Sequence, residues 1–177
     1  MLYFVEKFPN MTKDVKTVVV NNSIKGKKQL FDFYGDELLF PYKTITNFDA
    51  FRDVMEELDW LEEREVSICH ESLPLLNEPD MQDYLDYLNL IDAEWEMHTE
   101  RTNITRQYAH KHPDKFLILN ELQSFNSQPK LFNIFFMKRD EYFVKNILST
   151  YSWDFRRCIS FDEKGLETID FIARYPK

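Results

Sequence analysis

Hydrophobic residues along the chain follow two different periods. Val15 to Val20 (VKTVVV), Glu65 to Cys69 (EVSIC) and Leu131 to Met137 (LFNIFFM) are short segments with almost continuous apolar character. Such segments are typical of strands that are covered on both faces, as in a parallel sheet. Between and after them, apolar residues recur every three or four positions, which predicts helices. The predicted helices cover about residues 27–39, 48–58, 77–109 and 140–149.

This alternation of strands and helices predicts an α/β fold with a small, largely parallel, three-stranded sheet that is covered by helices. The polar residue His70 is expected to end the second strand. Two more strand-like segments, Arg157 to Phe161 and Leu166 to Arg174, flank a short polar stretch that ends in Gly165. They predict an extra C-terminal β-hairpin. Phe116 to Leu122 fits a strand or a helix equally well.

The composition is that of a folded domain. Sixteen Phe, nine Tyr and three Trp residues in a chain of 177 supply a sizeable core. We expect one domain, with its core over about 15–149 and a C-terminal extension over about 150–177. Cys69 and Cys158 lie in apolar segments and predict buried free thiols. No apolar run is long enough for a membrane span or a signal peptide, so we expect a cytosolic protein.

The strongest candidate site lies in the segment from Phe40 to Trp60. Asn47 stands where an N-cap belongs, because its side-chain oxygen can accept from the first turn of a helix. Asp49, Asp53 and Glu57 then follow at four-residue spacing and stack along one helical face. Such like-charge pairs cost an isolated helix about 0.2–0.5 kcal/mol each. A surface that binds a cationic partner would retain this row of carboxylates, but a solvent-exposed helix face explains it as well. The opposite face is apolar and consists of Phe48, Phe51, Met55 and Leu58.

The charge distribution narrows the choice of partner. The net charge is −9, but residues 36–100 alone hold nineteen acidic and three basic residues, a net charge of −16. This middle region would repel nucleic acid and anionic membranes, and it would speed the encounter with a basic molecule. A basic protein is therefore the expected partner, and direct nucleic-acid binding is not expected.

The same segment carries a short motif. Phe40-Pro41 is followed after five residues by Asn47-Phe48-Asp49-Ala50, and Asp53 comes three residues later. The pattern Asn-x-Asp-Ala-x-x-Asp after a proline, between these predicted elements, resembles the barstar family of intracellular ribonuclease inhibitors. The resemblance covers about 60 residues, from Lys16 to beyond Trp60.

This resemblance implies an inhibitor or immunity protein that inserts an acidic loop and helix, about residues 41–60, into the active site of a basic ribonuclease toxin. The carboxylates would stand in for substrate phosphates. Asp53 would be the main anchor, Asp49 its companion, and Asn47 would fix the loop. The candidate partner-binding residues are Lys43, Thr44, Asn47, Asp49, Arg52, Asp53 and Glu57.

The chain also departs from the family pattern. Where family members usually have an aromatic pair and a glycine in the loop, this chain has Lys43, Thr44 and Ile45. Arg52 stands at a position that is aromatic in the family. Because the loop aromatics are absent and two positive charges are present, we expect the cognate toxin to differ from barnase.

Other chemistry finds little support in the sequence. The four histidines, His70, His98, His110 and His112, are not spaced as metal ligands, and no cofactor motif occurs. Neighbouring carboxylates could form an acid–base pair, but they lie in charged sequence where burial would not tune their pKa. We therefore expect neither metal, cofactor nor catalysis. Two alternatives stay open: an acidic module that binds another basic protein, and a small acidic hydrolase.

Overall fold

The computed structural model describes residues 2–41, 44–111, 130–150, 154–161 and 167–174 of the chain. The predicted strands and helices are present, together with one strand at the N-terminus that the sequence analysis did not predict. In chain order the elements are β1 (Leu2–Val5), β2 (Val15–Val20), α1 (Lys27–Glu37), α2 (Phe48–Glu57), β3 (Glu65–His70), α3 (Glu78–Lys111), β4 (Leu131–Met137), a single 3-10 turn (Lys138–Asp140), α4 (Glu141–Thr150), β5 (Asp154–Phe161) and β6 (Glu167–Arg174).

The first four strands form one parallel sheet in the order β1-β4-β3-β2. Ile68 of β3 lies between Val18 of β2 and Ile134 of β4, and all three are buried. The predicted α/β class and the parallel sheet are therefore confirmed. The predicted count of three strands was too low, because β1 pairs with β4, which is distant in the sequence, with Leu2 opposite Ile134. Nothing near β1 in the sequence indicates that pairing.

Strands β5 and β6 form a separate antiparallel pair, from Asp154 opposite Arg174 to Phe161 opposite Glu167. The predicted hairpin strands are thereby confirmed, and their connection lies outside the described residues. The ambiguous segment 116–122 also lies outside them. Cys69 is a buried free thiol, and its burial raises the pKa to about 11. The division into a core and a C-terminal extension stays a prediction.

His70 does not mark the polar end of a strand, as the sequence analysis expected. It is the last residue of β3 and is fully buried, with its ring stacked on Phe136. Its Nδ1–H donates to the carbonyl oxygen of Phe135 at 3.2 Å, and its Nε2 accepts from the hydroxyl of Tyr84 at 2.7 Å. The Tyr84 oxygen in turn accepts from the hydroxyl of Tyr34, also at 2.7 Å. We call these residues the buried relay, and it joins α1, α3, β3 and β4.

The direction of each hydrogen bond in the buried relay follows from the carbonyl at its end. A carbonyl only accepts, so Nδ1 of His70 carries the proton and Nε2 is the acceptor. Tyr84 must then donate to His70, and Tyr34 must donate to Tyr84. Burial lowers the pKa of His70 to about 3 and raises the pKa values of both tyrosines, so all three groups stay neutral. A neutral, fully bonded relay can be buried without an uncompensated charge.

Removal of the central hydroxyl should destabilise the fold. Tyr84→Phe leaves a donor on Tyr34 and an acceptor on His70 buried without a partner, which we expect to cost about 1–3 kcal/mol of unfolding free energy. The matched control is Tyr142→Phe on α4, where the side chain is 85% exposed and the change should stay within about 0.5 kcal/mol. Denaturant titration of both variants measures the difference, and equal stabilities would contradict the relay.

His70 should also make the fold sensitive to acid. Its pKa is about 3 in the folded chain and about 6.5 when unfolded, so between these values the unfolded chain binds the extra proton. This one group should lower the unfolding free energy by about 1.4 kcal/mol for each pH unit of acidification within that window. NMR of the imidazole nitrogens should show a neutral ring, protonated at Nδ1, from pH 7 down to pH 5. A folded-state transition of His70 near pH 6.5 would refute the assignment.

Candidate partner-binding surface

Helix α2 begins as the sequence predicts. Asn47 has an extended backbone (φ −143°), and its side-chain oxygen accepts from the backbone N–H of Ala50 at 2.8 Å. The helix ends at Leu58, which adopts the left-handed conformation (φ 38°) and is fully buried. The predicted N-cap is confirmed, and buried contacts hold the far end.

Aromatic packing on two sides fixes the rotation of α2. Phe51 stacks on Phe31 of α1 with ring centroids 5.6 Å apart, and Phe48 stacks on Tyr87 of α3 at 5.6 Å. Near the C-terminal end, the indole N–H of Trp95 on α3 donates to the carbonyl oxygen of Met55 at 3.0 Å. That carbonyl lies in the last turn of α2, where no partner exists within the helix.

This packing turns the predicted apolar face inward and leaves Asp49, Asp53 and Glu57 exposed. We call these three residues the acidic row. Asp53 has 65% of its side chain exposed. The structure therefore brings the predicted carboxylates together on one surface of α2.

Asp49 is held by a residue that the sequence analysis missed. The Tyr87 hydroxyl donates to the Asp49 carboxylate, and the Tyr87 ring stacks on Phe48. The hydrogen bond to Asp49 is the main reason that the pKa of Tyr87 rises to about 12, and partial desolvation adds to it. The only signal in the sequence is an aromatic residue off the apolar stripe of α3. Helix α3 thus orients the first carboxylate of the acidic row.

Arg52 lies between carboxylates of its own helix. Its guanidinium is 3.4 Å from Asp53 and 3.3 Å from Glu56. Ion pairs on a surface contribute about 0–1 kcal/mol, so these contacts are exchangeable. Arg52 therefore lowers the net charge of the acidic row without blocking it.

The loop that leads into α2 is anchored at its beginning. The Phe40 ring contacts Phe51 and Trp60, and the indole N–H of Trp60 donates to the carbonyl oxygen of Leu38 at 2.8 Å. Thr44 is exposed in this loop, three residues before the N-cap. Lys43 lies outside the described residues, so its predicted contribution stays a prediction.

The segment after α2 is anchored by a second residue that the sequence analysis missed. The Lys130 ammonium, just before β4, donates to the carbonyl oxygens of Leu61 and Glu63, both at 2.7 Å. Lys130 is buried, and this burial lowers its pKa. A lysine between a polar stretch and a strand gives no local sign of this role.

Within the described residues, no group of three or more His, Cys, Asp or Glu side chains is placed to hold a metal ion. No described helix is long and apolar enough to cross a membrane.

Comparison with known proteins places the chain in a class. The sequence model of the family described as Barstar (barnase inhibitor) matches residues 15–109, more than half of the chain. The match spans β2, α1, α2, β3 and nearly all of α3, and so includes the acidic row. The chain belongs to the barstar family, whose members are inhibitors rather than enzymes. No curated protein and no solved structure matches it.

We expect the Asn47 N-cap to contribute measurably to the unfolding free energy. Asn47→Ala removes the acceptor for the Ala50 amide, so we expect the unfolding free energy to fall by about 0.5–2 kcal/mol and hydrogen exchange at Ala50 to accelerate. Asn47→Asp keeps an acceptor at the same place and is the matched control. Denaturant titration with amide exchange by NMR measures both effects. If the two variants are equally stable, the cap does not hold α2.

Proposed function

We propose that this chain is a cytoplasmic inhibitor of a basic ribonuclease toxin, and that the acidic row and the loop before it occlude the active site of the toxin. The observation that supports this proposal is the exposed row on α2, which lies within the matched family segment, while the opposite face of the helix packs on aromatic residues of α1 and α3. The mechanism is steric and electrostatic, and it requires no reaction.

Charge complementarity supports the choice of a ribonuclease. An enzyme that cleaves RNA must bind phosphates, and Arg and Lys side chains do this with charge-assisted hydrogen bonds. Carboxylates at helical spacing can offer oxygens to the same groups. The net charge of −16 over residues 36–100 would also accelerate the encounter with such a site.

Each residue of the surface has a role in this proposal. Asp53 is the main anchor, since 65% of its side chain is exposed and it can exchange Arg52 for a cation of the toxin. Asp49 is its companion, pre-oriented by Tyr87. Asn47 holds the loop in place through its cap. Lys43, Thr44, Arg52 and Glu57 form the surrounding contacts.

A second candidate function is a module that binds another basic protein and inhibits no ribonuclease. Arg52 favours this alternative, because a guanidinium paired with Asp53 and Glu56 stands where the family pattern has an aromatic residue. A partner that presents a carboxylate opposite Arg52 would suit this mixed surface better than a uniformly basic active site.

The proposal is tested by capture followed by a binding measurement. Tagged wild-type chain and an Asp49→Ala/Asp53→Ala variant are used to capture partners from the source cells, and the proteins are identified by mass spectrometry. A small basic ribonuclease that only the wild type recovers supports the inhibitor function. Recovery of the same partners by both chains would refute the role of the acidic row.

With the captured ribonuclease, Asp53→Asn should weaken inhibition by about 100-fold, because an unpaired cation in a desolvated interface costs about 3 kcal/mol. The charge-matched control is Glu6→Gln, an exposed residue after β1 at the other edge of the sheet from β2. This control should change inhibition only slightly and mainly through long-range steering. Equal effects of both substitutions would show that only the overall charge matters. A basic partner without ribonuclease activity would favour the second candidate function.

A further inference from the structure

A groove of about 730 Å³ runs beside α1 and the loop that leads into α2. We call it the α1 groove. It adjoins the proposed interface, because Ile45 of the loop before α2 is part of its lining. Its apolar floor is formed by Phe31 and Phe40, which both pack on the buried Phe51 of α2. Its side-chain lining consists of Phe31, Asp32, Asp36, Leu39, Phe40 and Ile45.

Leu39 is placed in this groove at a cost to the free chain. Helix α1 ends with the N–H of Phe40 bonded to the carbonyl oxygen of Gly35, so Leu39 takes the position where a left-handed residue, usually glycine, follows a helix. Its φ is 54°, which is unfavourable for leucine, and its side chain is 69% exposed. Leu58 shares the positive φ but is fully buried, so burial offsets its strain. Leu39 has no comparable burial, so its backbone strain is not offset in this way.

Gly35 is a second unfavourable residue of the same groove. It lies inside α1, where glycine is less favourable than alanine, and it lines the groove floor. A Cβ at this position would meet the Phe40 ring at 3.7 Å, an ordinary contact, so packing does not require glycine. The absence of a side chain keeps the groove open. Two residues that lower the stability of the free chain therefore shape one surface.

The charges at the rim select the occupant. Asp32 and Asp36 lie one turn apart on α1, and none of the described residues that line the groove is basic. Asp32 pairs with Lys28 at 2.6 Å, but both side chains are largely exposed, so this contact is exchangeable. An apolar floor beneath two carboxylates fits a side chain with an apolar stem and a cationic end.

We propose that the α1 groove is a second docking site for the protein partner, and that it takes a segment in which an arginine or lysine stands next to an apolar residue. The apolar residue contacts Leu39 and Phe40, and the cation lies between Asp32 and Asp36. This proposal rests on the proposed function, because it assigns a further contact to the same partner.

The test uses a small probe and does not need the ribonuclease. Acetyl-Leu-Arg-amide is titrated into the ¹⁵N-labelled full chain, with acetyl-Leu-Gln-amide as the uncharged control. We expect the arginine dipeptide to shift amide signals within residues 31–41, with several-fold weaker binding for the glutamine dipeptide. An Asp32→Asn/Asp36→Asn variant should abolish this preference. Equal binding of both dipeptides, or shifts only outside the groove, would overturn the proposal.

Gly35→Ala separates docking from folding. The added methyl group should raise the denaturant midpoint, since alanine is favoured in helices, and should weaken arginine-dipeptide binding several-fold because it occupies the groove. Leu39→Gly should also weaken binding while it relieves the strained backbone. Unchanged dipeptide binding in both variants would overturn the proposal even if their stabilities change as expected.

The groove proposal and the proposed function can fail independently of each other. Asp53→Asn lies outside the groove lining and should leave the dipeptide titration unchanged. If Asp53→Asn weakens ribonuclease inhibition while Gly35→Ala binds both dipeptide and ribonuclease like wild type, only the groove proposal fails. If the groove binds the arginine dipeptide but the Asp53 substitution changes no partner, only the proposed function of the acidic row fails.

Discussion

The buried hydrogen bonds of Tyr34, Tyr84 and His70 constrain every layer of the core, because each group must meet the next without help from water. The carbonyl of Phe135 sets the direction of the whole series. A shift of α1 or α3 against the sheet would leave at least one buried polar atom unpaired, which costs more than the hydrogen bond contributes when it is made. The two helices are therefore held at defined positions, and they form the walls against which α2 lies.

The exposure of the acidic row is a consequence of this arrangement. Phe48 and Phe51 fill the space between α1 and α3, so α2 has only one rotation in which its aromatic side is covered. The carboxylates then face outward whether or not a partner is present. Tyr87 links the packing of α2 to its exposed surface, because its ring stacks on Phe48 and its hydroxyl donates to Asp49. Binding costs less conformational entropy when the charged surface is already ordered in the free protein than when it must become ordered.

Several residues near this surface lower the stability of the free chain. Like charges recur on α2, a glycine (Gly35) lies inside α1, and Leu39 has a left-handed backbone while its side chain is exposed. Proteins break local rules of this kind mainly at functional sites, and the well-packed remainder offsets the loss. All of these features lie on α1, α2 or the loop between them, within the segment that matches the barstar family.

The sequence by itself determined the parallel α/β class, the span of α2, its cap at Asn47 and the outward side of its carboxylates. These features depend on interactions within one or two helical turns or on the spacing of apolar residues. A short stretch of sequence contains both kinds of information. Only the tertiary structure decided that β1 joins the sheet, that His70 is buried, and that Tyr87 and Lys130 support the two ends of the site. These contacts join residues far apart in the chain, and a local pattern contains no information about which distant atom will satisfy a hydroxyl, an ammonium or a strand edge.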